Sequence, residues 1–145
     1  MKTAVVFVSL FLYAISLANP VFYFIRSESS GYTSPEVQHG ISVLLTAWLG
    51  IFFSQFGWFA NPPYFLSLLF VWMQHQRIAI AFSALALVVG ITNTIWLFHQ
   101  TLPADEALIN KMKLQHLGSG YYFWITALII PFVWSTVRSF YSKPR

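Results

Sequence analysis

The residues whose type and spacing best suit chemistry are Gln55, Trp58 and Asn61, followed at once by Pro62 and Pro63. Neither proline can donate a backbone hydrogen bond, so a helix arriving here must break and strand its carbonyls. Amide side chains can satisfy such groups away from water. On this reading Asn61 caps the helix that follows, with Pro62 in the favoured first position. The sharper alternative is a small polar ligand pocket at a broken helix, as in many transporters.

The remaining reactive groups are scattered. His39, His75, His99 and His116 form neither an H-x3-H nor an HExxH pair, and cysteine is absent. No metal, haem or other cofactor is therefore expected. Asp105 and Glu106 are adjacent in a polar stretch, and neighbouring positions do not converge on one substrate; a solvated loop is expected. Ser54 and Ser83 are expected in the interior, but no histidine shares their depth. No G-x-S-x-G elbow, phosphate-binding loop or dinucleotide fingerprint occurs. The chain does not read as an enzyme.

These residues must be positioned by elements that are almost free of charge. Only 8% of the 145 residues are Asp, Glu, Lys or Arg, and 57% are apolar. A soluble domain carries roughly a quarter charged residues. The composition predicts an all-α integral membrane helical bundle of four to five transmembrane segments, forming one domain over 1–145. The apolar runs place these segments at about 3–25, 40–60, 63–76, 78–99 and 121–138. None carries an ionisable acid or base mid-span, which disfavours proton relays and ion-coupled carriers. Stretches 26–39 and 100–120 read as loops, the second with an amphipathic turn or two in its middle.

Lys2, Arg26, Arg77, Lys111, Lys113, Arg138, Lys143 and Arg145 flank the apolar runs, as topology signals do. With five crossings and the N-terminus outside, the inner side holds five of them against three. If segments two and three make one net crossing, Lys2 replaces Arg26 and the count is unchanged. Both versions put Arg77 and the C-terminus in the cytoplasm and 100–120 outside. Lys2 before an apolar run also resembles a signal peptide, with Ser16-Leu17-Ala18 as a cleavage site. The run continues past that point through Ile25, which favours a retained anchor. No basic soluble face suggests nucleic acid.

Helices in lipid associate through small residues. Ala79, Ser83, Ala86, Gly90 and Asn93 form such a stripe in segment four, and Thr46, Gly50, Ser54, Gly57 and Asn61 form one in segment two. Gly50, Gly57, Ser83, Gly90 and Asn93 are expected to be helix-packing positions on facing interior surfaces. The fifteen Phe, seven Tyr and six Trp suggest interfacial belts that include Trp58, Tyr64, Trp72, Trp96, Tyr121, Tyr122 and Trp124.

Three motifs carry a family resemblance. They are Trp58-Phe59-Ala60-Asn61-Pro62, the basic break at Arg77, and Gly118-Ser119-Gly120-Tyr121 before the last segment. Together they resemble a group of small bacterial inner-membrane proteins with a Trp-x-Ala-Asn-Pro turn and a Gly-x-Gly-Tyr stretch. The resemblance covers about two thirds of the chain. It implies a bacterial inner-membrane location and supplies no catalytic residues. The resulting expectation is a non-enzymatic multi-pass protein acting through protein–protein contacts, as an accessory subunit or an immunity- or exclusion-type protector. Its partners would be the lipid bilayer and a membrane protein or further copies of itself. The alternative is a binding or transport component for a lipidic or other apolar small molecule.

Overall fold

The structure, a computed structural model, describes residues 2–105 and 109–141. Helix α1 (Lys2–Ala18) runs into strand β1 (Pro20–Ser27), which turns back as β2 (Thr33–His39). Helix α2 (Gly40–Thr46) continues into a 3-10 segment, Ala47–Phe53, and after a break into a second one, Gly57–Ala60. Helices α3 (Asn61–Trp72) and α4 (Gln76–His99) follow. Strands β3 (Thr101–Pro103) and β4 (Lys111–Leu117) then lead into α5 (Ser119–Tyr141).

The all-α expectation is thus corrected: the fold is mixed α/β. Among the described residues five α-helices accompany a four-stranded antiparallel sheet of order β2-β1-β4-β3. Among the described residues two helices, α4 and α5, are long and apolar enough to cross a membrane, rather than four or five. Three physical causes account for the difference. Pro20 cannot continue α1, and the β-branched and aromatic run Val21-Phe22-Tyr23-Phe24-Ile25 suits a strand. Segment one therefore stops being helical at Ala18. Segment two winds as an α-helix for only seven residues, and Ser54 then turns left-handed at φ 58°. The stretch 100–120 carries Lys111-Met112-Lys113-Leu114, a period-2 alternation that belongs to a half-buried strand. Glu106, Lys143 and Arg145 lie outside the described residues.

The helices α1, α3, α4 and α5 pack antiparallel to their sequence neighbours in the bundle. Lys2 Nζ donates to Trp72 O at 3.1 Å, and Tyr13 OH to Asn61 Oδ1 at 3.2 Å, so α1 and α3 run opposite ways. Ser9 Oγ donates to Ala127 O at 2.8 Å, which sets α1 against α5. All four helix–strand junctions fall at one end, so the sheet caps that end of the bundle. Lys2, Arg77 and Arg138 mark the opposite end, whereas Arg26, Lys111 and Lys113 belong to the sheet.

The junctions are tight. A Cβ on Gly118 would lie 2.2 Å from Pro20 O, and one on Gly40 would lie 2.2 Å from Ser16 O. Glycine is the residue that allows such backbone approach. On the inner face of the sheet, Phe24 and Leu114 pack with Leu97 of α4. Within the bundle Tyr13, Ala60, Tyr64, Leu68, Ala86, Ala127 and Leu128 form the main core.

Beside this apolar core, small polar side chains are buried and large apolar ones face outward. Ser9, Ser67, Ser83 and Ser135 have no exposed surface, while Phe7, Phe11 and Val88 are more than half exposed. Apolar surface normally goes inside because burial removes it from water.

Candidate functional site

Between the bundle and the sheet lies a cavity of about 270 Å³. Its floor is formed by Tyr13 of α1, Asn61 of α3, Asn93 and Leu97 of α4, and Trp124 of α5. Its roof is the inner face of the sheet, through Phe22, Phe24 and Met112. Its side wall is α2 with the first 3-10 segment, through Val43, Leu44, Ala47 and Phe53. Among the described residues, no Asp, Glu, Lys, Arg or His lines the cavity. The volume sits near the lower end of the small-molecule range, about 300–1,000 Å³.

Asn61 is the polar centre of the floor. It is 7% exposed. Its Oδ1 accepts from Tyr13 OH at 3.2 Å and from Trp124 Nε1 at 3.1 Å. An indole N–H can only donate, so the atom facing Trp124 must be the amide oxygen and not the nitrogen. Asn61 Nδ2 has no hydrogen-bond partner among the described residues. The expected capping role is corrected here. The residue before α3 is Ala60, no side chain caps that helix, and the Asn61 oxygen serves donors on two other helices.

Below Asn61 the polar chain continues into the core. The Tyr13 and Tyr64 rings stack at 5.3 Å. Ser9 Oγ spends its proton on Ala127 O, so the 2.8 Å contact between Ser9 Oγ and Tyr64 OH has the tyrosine as donor. Three helices are joined by this chain, away from water, where an unpaired polar group is costly.

Gln55 and Asn93 belong to a second amide cluster at the side wall. Gln55 Nε2 donates to Gln100 Oε1. Asn93 Nδ2 donates to Gln55 Oε1 at 3.2 Å, and Asn93 Oδ1 accepts from Phe56 N. The bonds pin the break between the two 3-10 segments onto the C-terminal half of α4. Trp58 Nε1 donates to Leu44 O at 2.8 Å, which ties the second 3-10 segment beneath α2. Gln55, Trp58, Asn61 and Asn93 all line the cavity.

The packing positions are distributed as follows. A Cβ on Gly57 would lie 2.8 Å from Asn93 Nδ2, so segments two and four meet there. A Cβ on Gly90 would lie 2.7 Å from Trp124 Cη2. Gly50 meets Gln55 within its own loop, at 2.9 Å from Cβ to Cβ. Ser83 is fully buried in α4, with Oγ donating to Ala79 O at 2.7 Å. Ser54 and Thr46 are exposed, because segment two is not one continuous helix and has no single face. Among the aromatic belt residues, Trp72, Trp96 and Tyr122 are exposed, whereas Tyr64 and Tyr121 are buried and Trp124 lines the cavity.

Sequence reasoning missed Tyr13 and the cavity role of Trp124. A signal for Tyr13 was present: Ser9, Tyr13 and Ser16 fall at i, i+4 and i+7, one face of α1. Trp124 carried no such signal, since its partner Asn61 is 63 residues away. Comparison with known proteins finds no matching family model, no matching curated protein and no matching solved structure.

Proposed function

We propose that this chain is a non-enzymatic membrane protein that holds an apolar small molecule in the cavity between its helices and its sheet. The observation that carries the reading is the lining: apolar side chains with a few amides, indoles and hydroxyls, and no Asp, Glu, Lys, Arg or His among the described lining residues. Such a site binds by burial and by a small number of placed hydrogen bonds. Among the described lining residues no carboxylate, imidazole or amine stands ready as a general acid or base for turnover. Buried serines and outward-facing Phe7, Phe11, Leu85 and Val88 support a bilayer as the surrounding medium. In that setting α4 and α5 cross the membrane and the sheet lies outside it. The basic end, with Lys2, Arg77 and Arg138, faces the cytoplasm by the positive-inside rule. The resemblance of the Trp58 to Pro62 turn adds the bacterial inner membrane.

The small stripe of α4 is occupied within the chain, by Ala60 and Trp124 at Gly90. This favours a ligand over a partner helix as the basis of function.

The test uses tryptophan fluorescence. Trp58 and Trp124 line the cavity. With Trp48, Trp72, Trp96 and Trp134 replaced by Phe, only those two report. In dimyristoyl phosphatidylcholine vesicles, 1-bromododecane should quench them saturably. Quenching that rises linearly with probe, as for a lipid-facing ring, would refute the reading.

A further inference from the structure

We infer that the cavity selects uncharged molecules that carry a carbonyl acceptor, and that Asn61 Nδ2 is the donor that recognises it. The inference rests on the ligand-binding reading above and specifies its substrate class. Trp124 Nε1 and Tyr13 OH together fix the Asn61 amide with its oxygen turned toward them. That leaves both N–H donors of a side chain 7% exposed without a partner, on a residue that lines the cavity. The lining amides of Gln55 and Asn93 are engaged. Gln55 and Asn93 bond to each other and to Gln100 and Phe56, and the Trp58 indole bonds to Leu44 O. The unmet hydrogen-bonding capacity at the floor is therefore donor capacity, and an acceptor satisfies it.

The same lining excludes an ionised headgroup from the cavity. A carboxylate or phosphate would be buried beside no Lys, Arg or His among the described lining residues. An isolated charge in such surroundings loses its hydration with nothing to replace it. A neutral carbonyl loses much less and gains the amide bond.

The two-tryptophan variant tests this with three brominated probes of equal chain length: an alkane, a fatty-acid methyl ester, and the fatty acid at pH 8. The ester should bind more tightly than the alkane by about threefold to tenfold, the effect of one neutral hydrogen bond. The ionised acid should bind more weakly than either. Asn61→Ala should remove the preference for the ester over the alkane. Equal affinity for ester and alkane in the protein with Asn61 intact would overturn the inference, and so would acid binding as tight as the ester. In both cases saturable alkane quenching would leave the ligand-binding reading standing. Loss of saturation with all three probes would sink both. The comparison of probes on the protein with Asn61 intact needs no folded Asn61 variant.

Discussion

At the scale of single residues, Asn61 does two jobs with one side chain. Its oxygen ties α1 and α5 to the start of α3, and its nitrogen has no partner among the described residues, on a residue that lines the cavity. Asn61→Ala leaves Tyr13 OH and Trp124 Nε1 unpaired in buried or half-buried positions. The expected cost is about 1–3 kcal/mol of stability, read as a lower unfolding temperature in mild detergent. Trp124→Phe removes a single donor and should cost less, because Tyr13 still satisfies the same oxygen. If Asn61→Ala melts with the unsubstituted protein, the network does not hold the helices. The sequence singled out Asn61, Gln55 and Trp58 because polar residues beside a Pro-Pro break stand out in an apolar chain. It could not reveal what they bond to, since Tyr13 and Trp124 lie 48 and 63 residues away from Asn61.

At the scale of elements, the junctions between helix and strand are the most constrained points. Gly118→Ala would set a methyl group 2.2 Å from the Pro20 carbonyl oxygen, which is backbone and cannot rotate away. The β4–α5 junction must then move relative to β1, and a strong loss of folded yield is expected. Gly31→Ala meets nothing within 4 Å. At φ +84° it should cost only about 1–2 kcal/mol of local strain. Comparable yields for the two variants would contradict the packing described at the junction. The helices α4 and α5 were legible from uninterrupted apolar runs, and α3 from the Pro-Pro start. The strands were hidden for different reasons. The apolar residues of β1 continue the run of α1 without a polar gap, so length suggested one long span. In β2, Thr33–His39 holds a single large apolar residue, Val37, and its edge position supplies no pattern. The alternation in β4 was readable and was passed over because charge-rich stretches between spans are usually loops.

At the scale of the whole molecule, a sheet caps one end of a bundle whose other end is basic. The chain has no cysteine, so single introduced thiols report topology cleanly. Thr33→Cys, in the exposed hairpin, should react with a membrane-impermeant maleimide on intact cells. His75→Cys, at the opposite end, should react only after the membrane is opened. The reverse pattern would invert the proposed orientation. The bundle and the sheet leave between them a cavity of about 270 Å³, the space proposed to hold a small molecule. The most direct measurement is solvent extraction and mass spectrometry of the purified full chain, beside Val43→Trp, which places a large ring against the cavity wall. An uncharged apolar molecule is expected at near-stoichiometric amount in the first sample and is expected to be lost from the second. Equal amounts of the same lipids in both samples would contradict that expectation.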